Sequence, residues 1–123
     1  MIGQPSPLAL EASAVVMDNV VTMSAPQDTI FGANSAGIEI RGFAYANSVL
    51  NNRLRGRANA AMTVLAQNGG LPGNNSFIAN DLDGFQSSLA DIFVDAGATN
   101  TFVIGHQASV EDRGSATIVV PMR

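Results

Sequence analysis

The sequence predicts an all-β chain built as a solenoid of short strands, and three observations lead to that prediction. Amphipathic helical periodicity is poor along almost the whole chain, whereas short alternating or apolar runs are frequent. Gly, Asn, Asp or Pro bound each run, and these residues mark turns between short strands. Similar segments also recur at fairly even intervals along the chain, which is the signature of a repeat architecture.

Length and composition are consistent with one small globular domain. The chain has 123 residues, of which 46% are hydrophobic and only 13% are charged. The apolar content excludes a wholly disordered chain, and the low charge argues against a surface-rich helical bundle. We therefore treat residues 1–123 as a single domain, with residues 1–14 as an amino-terminal cap and residues 15–120 as the repeats.

The predicted elements follow one another closely along the chain. The segment 8–14 is compatible with a helical turn or two, because Ser6 and Pro7 suit a helix start. Short strands are then predicted at residues 15–17, 37–41, 53–55, 81–83 and 118–120.

Four short segments of the chain align with one another. Each has two apolar residues, a gap and an anchor residue, and the anchors are Asn19, Asn52, Asn80 and Gly105, with intervals that shorten along the chain. A second apolar strand follows in each unit, at residues 30–31, 62–65, 92–94 and 118–120. Because a single unit cannot bury its apolar face alone, we expect the units to stack and share one continuous core.

The Asn-x-apolar-x-Gly pattern at residues 52–56 and 80–84 resembles the repeats of right-handed parallel β-helix proteins, the pectate-lyase-like superfamily. The resemblance covers roughly residues 15–120. It implies a short, single-stranded right-handed parallel β-helix of about four coils. A turn Asn in that family commonly stacks on the Asn of the next coil, so by similarity Asn19, Asn52 and Asn80 would form an internal ladder. Gly105 would end that ladder.

Stacking of the units is expected to bring opposite charges together. The offset that aligns Asn52 with Asn80 places Arg53 beside Asp81 and Arg55 beside Asp83. The offset that aligns Asn80 with Gly105 places His106, the only histidine, beside Asp81. We expect His106 to be an exposed strand residue there, because one imidazole cannot form a multi-histidine metal site. Opposite charges on neighbouring strands attract by about 0.2 to 1 kcal/mol per pair.

The acidic residues allow two interpretations. Asp81, Asp83, Asp91 and Asp95 form the densest acidic cluster. Paired carboxylates of this kind catalyse sugar cleavage, and pectate lyases use theirs to hold Ca²⁺. The plainer interpretation is that these residues cap turns and pair with arginines. We predict no metal site, because the positions that would complete a calcium loop hold alanines.

Arginines and aromatic residues also leave two interpretations open. The stripe Arg41, Arg53, Arg55 and Arg57 could clamp uronates or sulfated sugars, or it could pair with the acids on a solvated face. Tyr45 with Phe43, and Phe85 with Phe93, are candidates for stacking on sugar rings. Phe in a narrow coil is more often part of the core.

These observations favour a non-catalytic β-helix module with a binding role, for which carbohydrate is the candidate ligand, or with a structural role in assembly. Its predicted binding residues are Arg53, Arg55, Asp81, Asp83 and His106, and we predict no catalytic residue and no cofactor. The alternative is a small polysaccharide lyase, epimerase or hydrolase that acts on acidic sugars. Enzymes of the resembling family are normally longer, with many more coils that form a groove.

The expected partners follow from charge and from the ends of the stack. A net charge of −4 and a pI of about 4.6 argue against nucleic acid. The chain has neither an apolar run of the ~18 residues of a membrane span nor the start of a signal peptide. We therefore expect no membrane partner and a cytoplasmic location. Both ends of a short stack expose unpaired strands. A homo-oligomer, preferably a dimer, is expected to bury the carboxyl-terminal end or an apolar lateral sheet.

Overall fold

A computed structural model describes residues 14–24, 36–67 and 69–122 of the chain. These residues form twelve strands, β1 to β12, and no helix lies among them. The prediction of an all-β fold is therefore confirmed. Every pairing between the strands is parallel. The predicted cap, apart from Ala14, and the predicted strand at 30–31 lie outside the described residues.

The first sheet has five strands in the order β1-β4-β7-β10-β12. Their bounds are Val15–Met17, Ser48–Leu50, Ser76–Ile78, Phe102–His106 and Ile118–Pro121. This order follows the chain, with one strand taken from each successive repeat. Equivalent positions of the repeats therefore become neighbours, which is what the alignment of the anchors predicts.

Two further parallel sheets hold the remaining strands. The second sheet has the order β2-β5-β8, with the bounds Val20–Ser24, Arg53–Ala58 and Gln86–Ser87. The third sheet has the order β11-β9-β6-β3. Its strands are β3 (Ala36–Arg41), β6 (Ala60–Leu65), β9 (Ile92–Val94) and β11 (Val110–Asp112).

The core consists of side chains that point inward from all three sheets. Successive side chains of a strand point to opposite faces, so alternate residues of the first sheet enter the core. In the first sheet Val49, Phe77 and Val103 are stacked in register and buried. The same core includes Leu54 of the second sheet and Ile92 of the third. The repeats thus share one continuous apolar interior.

Two of the predicted strands differ in the structure. Asp81 forms only an isolated bridge to Arg53, because the chain turns immediately after it. Residues 118–120 were expected to be the second strand of the last repeat, and this is wrong. They belong to β12, which pairs with β10 in the first sheet, whereas β11 takes the expected place beside β9.

The repeats become shorter toward the carboxyl terminus. In the first sheet Val15 pairs with Ser48, whereas Phe102 pairs with Ile118, so the last repeat is only about half as long as the first. The last repeat supplies no strand to the second sheet, so β8 is an edge strand there.

Each of the first four strands of the first sheet has a residue in the left-handed conformation at the same position of its repeat. Asp18, Asn51, Ala79 and Gly105 have φ angles of 59°, 55°, 50° and 77°. The first three directly follow their strands, whereas Gly105 lies inside β10, where the register with β12 shifts. Asp, Asn and Gly tolerate this conformation, whereas Ala79 adopts it at a cost of about 1 kcal/mol.

We predict that Gly56→Ala strongly destabilises the fold. Gly56 lies in β5 with a φ of +100°, and an added Cβ would lie 1.9 Å from the carbonyl oxygen of Met23 on the adjacent strand. The backbone of Met23 cannot give way without breaking the β2–β5 pairing. The free energy of unfolding, measured in urea, should fall by about 3 kcal/mol or more.

Gly84→Ala is the matched control for this substitution. Gly84 also has a positive φ, of +75°, but no atom lies within 4 Å of the Cβ that would be added. Only the backbone strain of about 1 kcal/mol is expected for this variant. Equal losses in the two variants would contradict the close approach of β2 and β5 at Gly56.

Candidate functional site

A stack of amides, exposed at Asn19 and buried at Asn52 and Asn80, runs through the turns between the first and second sheets. The backbone N–H and the Nδ2 of Asn19 both donate to Oδ1 of Asn52, each at 3.0 Å. The same two groups of Asn52 donate to Oδ1 of Asn80, at 2.9 and 3.0 Å. These are the three residues that the sequence places in a ladder, and Asn52 is only 1% exposed.

The side-chain nitrogens of Asn52 and Asn80 each donate a second hydrogen bond, to a backbone carbonyl oxygen. Nδ2 of Asn52 also donates to the carbonyl oxygen of Val16, and Nδ2 of Asn80 donates to that of Val49. An amide has two N–H donors and one strong acceptor oxygen, so this arrangement uses all of them. Burial of these side chains therefore leaves no hydrogen bond unmade, which is the condition for a polar group in a core.

His106 is the fourth member of the stack. Its Nε2 lies 3.2 Å from both the backbone N and the Nδ2 of Asn80, and the residue is only 4% exposed. The expectation of an exposed His106 above Asp81 is therefore wrong, as is a ladder that ends at Gly105. Gly105 takes the left-handed position that precedes each ladder residue, so the true partner of Asn80 lies one residue further along the chain.

The surroundings of His106 determine its protonation. Since two N–H donors of Asn80 face Nε2, that atom must be the acceptor and the proton of the neutral ring belongs on Nδ1. Nδ1 is buried and has no hydrogen-bond partner among the described residues. Burial lowers the pKa of His106 from 6.5 to about 4, so the imidazole is neutral at pH 7.

A second amide stack lies at the other end of the same strands, and sequence reasoning missed it. The backbone N–H of Ala14 donates to Oδ1 of Asn47, and both N–H groups of Asn47 donate to Oδ1 of Asn75 at 3.0 Å. Thr101 takes the next position and is also buried. The signal was present, since Asn-Ser-apolar-x-x-Asn occurs at residues 47–52 and would have matched residues 75–80.

Two cavities lie beside the first ladder, and Asp81 lines both of them. The larger, of about 410 Å³, is lined by Asp18, Asn19, Val20, Asn51, Asn52, Arg53 and Asp81. The other, of about 360 Å³, is lined by Ala79, Asn80, Asp81, Leu82, Asp83, Gly105, Gln107 and Met122. We call the two together the turn groove. It follows the turns that come after the strands of the first sheet in successive repeats.

Asp81 is the best-oriented charged group of the turn groove. Its Oδ2 lies 2.8 Å from Nη2 of Arg55 and 3.6 Å from Nε of Arg53, and its Oδ1 accepts the backbone N–H of Asp83. The hydrogen bond from Arg55 is the main cause of a pKa of Asp81 below its usual value, with the Asp83 N–H next. The same hydrogen bond raises the pKa of Arg55.

The pairing of these charges differs in part from the prediction. Arg53 lies beside Asp81, as the alignment of Asn52 with Asn80 predicts. Arg55 was expected beside Asp83, but it binds Asp81 instead, because the turn at residues 82–84 takes Asp83 out of the strand register. All of these side chains are well exposed, so the pairs orient Asp81 more than they stabilise the fold.

Other candidate acids and bases lie away from the turn groove. Asp91 accepts hydrogen bonds from Ser87 and Ser109, and Asp95 accepts those of Ala66 and Ala96, so both carboxylates cap turns. Arg41 lies in β3 of the third sheet and pairs with Glu39. Arg41 is thus separate from the arginines of β5.

The aromatic candidates do not line the turn groove. Phe85 and Phe93 are buried, and the guanidinium of Arg113 lies 5.2 Å from the ring centre of Phe93. Tyr45 is half-exposed and pairs through its backbone with Gly73. Any ligand in the turn groove would therefore contact mainly polar side chains.

Within residues 14–24, 36–67 and 69–122, no three Asp, Glu or His side chains come together in a way that could hold a metal ion. The same residues contain no helix long and apolar enough to cross a membrane. Comparison with family models, with curated proteins and with solved structures gave no match to this chain.

We predict that Asn52→Asp destabilises the protein by about 3 kcal/mol or more. The carboxylate keeps the size of the amide but cannot donate to Asn80 or to the Val16 carbonyl, and it buries a charge. Urea unfolding at pH 7 measures the loss. Asn100→Asp, at an exposed turn position, is the control and should change stability by less than about 0.5 kcal/mol.

We further predict that stability falls with acidification between pH 6.5 and 4. In this window the unfolded chain binds a proton at His106 that the folded chain does not, because the folded pKa is about 4. The contribution is fully present above pH 6.5, and about 3 kcal/mol is lost by pH 4. The pKa of Asp81 is lowered from 3.8, so the folded protein takes up a proton at Asp81 only below this pH range.

His106→Gln is the control for the pH dependence. A glutamine amide oxygen can accept from Asn80 but does not titrate, so the free energy of unfolding of this variant should stay nearly constant from pH 7 to 4.5. If the wild type and the variant show the same slope over this range, another group is responsible.

Proposed function

We propose that the three sheets are the faces of a short right-handed parallel β-helix with about four coils. The chain visits the sheets in a fixed cycle, since β4, β5 and β6 belong to the first, second and third sheets, and β7, β8 and β9 repeat that order. Right-handedness follows from the strong general preference of crossovers between parallel strands. The resemblance of the repeats to pectate-lyase-like proteins supports the same architecture.

We propose that this β-helix is a non-catalytic module that binds a neutral saccharide chain in the turn groove. The observation that carries the proposal is that Asp81, a carboxylate held by Arg53 and Arg55, lines both cavities. A groove along the stack suits an elongated ligand. A carboxylate that is already oriented does not lose rotamer freedom on binding.

The protonation states argue for binding without catalysis. A general acid for glycosidic cleavage needs a raised pKa, whereas the pKa of Asp81 is lowered by its arginine partner. His106 cannot serve as a base for a ligand, because its Nε2 is occupied by Asn80 inside the stack. The alternative of an enzyme acting on acidic sugars therefore gains no support from these two groups.

The charges of the turn groove favour a neutral ligand. Three carboxylates, those of Asp18, Asp81 and Asp83, line it, and Arg53 is the only cation among the lining residues. A uronate or a sulfated sugar would be repelled by this excess of negative charge. Asn51 and Gln107 add amide groups, which donate to and accept from sugar hydroxyls equally well.

We predict that a neutral hexasaccharide such as cellohexaose binds the turn groove with a dissociation constant of about 1 mM, since polar contacts without aromatic stacking are weak. Chemical-shift perturbation of backbone amides should map to residues 18–20, 51–53 and 79–83. A hexamer of galacturonate should cause smaller shifts at the same concentration.

Asp81→Asn tests the electrostatic part of this proposal. The substitution frees Arg53 and Arg55 from their shared carboxylate, so the variant should bind the galacturonate hexamer more tightly than the wild type does and cellohexaose several-fold more weakly. Asp112→Asn, outside both cavities, should bind like the wild type. Absence of shifts at the turn groove with either sugar up to about 10 mM would exclude the proposed role.

A further inference from the structure

The outward face of the first sheet differs in chemistry from the rest of the surface. Because side chains alternate, each of the five strands directs two residues outward. These ten residues, which we call the outer face, are Val15, Met17, Ser48, Leu50, Ser76, Ile78, Phe102, Ile104, Ile118 and Val120. Eight of them are apolar and none is charged.

Strand register turns part of the outer face into an unbroken aliphatic stripe. Met17, Leu50, Ile78, Ile104 and Val120 are consecutive register partners across all five strands. The residues at the two edges are the most exposed, with Met17 and Val120 each at 47%. The three between them are half-buried.

The second sheet provides the comparison within the same molecule. Its outward positions on β5 are Arg53, Arg55 and Arg57, and their register partners on β2 are Val20, Thr22 and Ser24. Five of these six outward residues are polar or charged, and Val20 at the edge of the sheet is the exception. An apolar outward face on the first sheet is therefore not a requirement of the architecture, and exposed apolar surface of this kind marks an interaction site.

We propose that the outer face is a homodimer interface, on which a second copy of this chain packs face to face about a twofold axis. The inference does not depend on the saccharide proposal, since no outer-face residue lines the turn groove. The sequence indicates two candidate surfaces for a homo-oligomer, the carboxyl-terminal end and an apolar lateral sheet. The outer face is the lateral sheet. The carboxyl-terminal end presents only the edges of the three sheets, at β12, β8 and β11, whereas the outer face extends across five strands of one sheet.

The chemistry of the outer face matches another copy of itself. A partner with a charged surface would lose hydration there without gaining an ion pair, because the outer face has no charged group. A twofold axis places aliphatic columns of one copy against aliphatic columns of the other. Two β-sheets pack in this way at about 10 Å, with their side chains interdigitated.

The size of the outer face indicates how tight the dimer is. Five strands spaced ~4.8 Å apart and two outward residues per strand cover roughly 24 by 14 Å, or about 330 Å² per copy. Two copies then bury about 650 Å², below the ~1,200 Å² of the smallest standard stable interfaces. The dimer is accordingly in exchange with the monomer, and its population depends on concentration.

Sedimentation velocity over about 5 to 500 μM tests the proposal, since this range brackets a weak interface. The wild type should shift from the mass of one chain toward that of two. Ile78→Lys places an ammonium group on β7, the central strand of the outer face. This charge stays hydrated in the monomer but would be buried opposite its own copy in the dimer, so the variant should remain monomeric throughout.

Two further variants keep the test decisive. Leu71→Lys makes the same kind of change at an exposed leucine outside the outer face and should dimerise like the wild type. Ser76→Val replaces a polar outward residue of the central strand with a β-branched apolar one and should tighten the dimer several-fold. The gain expected for Ser76→Val does not depend on whether Ile78→Lys folds.

Several outcomes would overturn the proposal. A wild type that is monomeric at every concentration would exclude the interface. So would loss of the dimer in both lysine variants, or a Ser76→Val variant that associates no more tightly than the wild type. The saccharide titrations of the turn groove are read separately, because Ile78→Lys leaves every residue of that groove in place.

Discussion

The stacking of buried amides is the interaction on which the rest of this structure depends. An Asn side chain inside the core is tolerated only when both of its N–H groups and its oxygen are bonded, and Asn52 meets that condition only with Asn19 above it and Asn80 below. A slip of one residue between neighbouring repeats would leave several buried polar groups without partners. The ladders therefore set the strand register, and loops between strands can differ in length without disturbing it.

Register in turn determines both surfaces to which we assign a role. The turn groove exists because left-handed residues such as Asn51 and Ala79 lie directly above one another, so that the bend of each repeat continues the bend of the last. The outer face exists because Leu50, Ile78 and Ile104 fall in one column. One internal constraint thus produces both the polar surface along the turns and the apolar surface on the first sheet.

The alignment of the repeats locates the segment of His106 correctly but assigns the wrong residue of that segment to the ladder. That segment matches the other repeats in its apolar residues, but alignment on small turn residues puts Gly105 at the position of the asparagines. Hydrogen bonding puts His106 there, because an imidazole nitrogen can replace an amide oxygen as the acceptor for Asn80. A comparison of residue types does not match His with Asn, whereas the ladder requires only a hydrogen-bond acceptor at the right distance from Asn80. The partner of Arg55 was misplaced for a related reason, since a turn after Asp81 interrupts the register.

By itself the sequence determined the repeats, the all-β class, the first strand of each repeat and the asparagines at its end, because these depend on patterns that are local and periodic. Tertiary structure alone decided that the last repeat shrinks to about half the length of the first, that β12 joins the first sheet, and that His106 is buried. It also decided which outward residues form one stripe. Alternation within a strand says which residues share a face, but only the pairing of strands brings faces from distant repeats into a common surface.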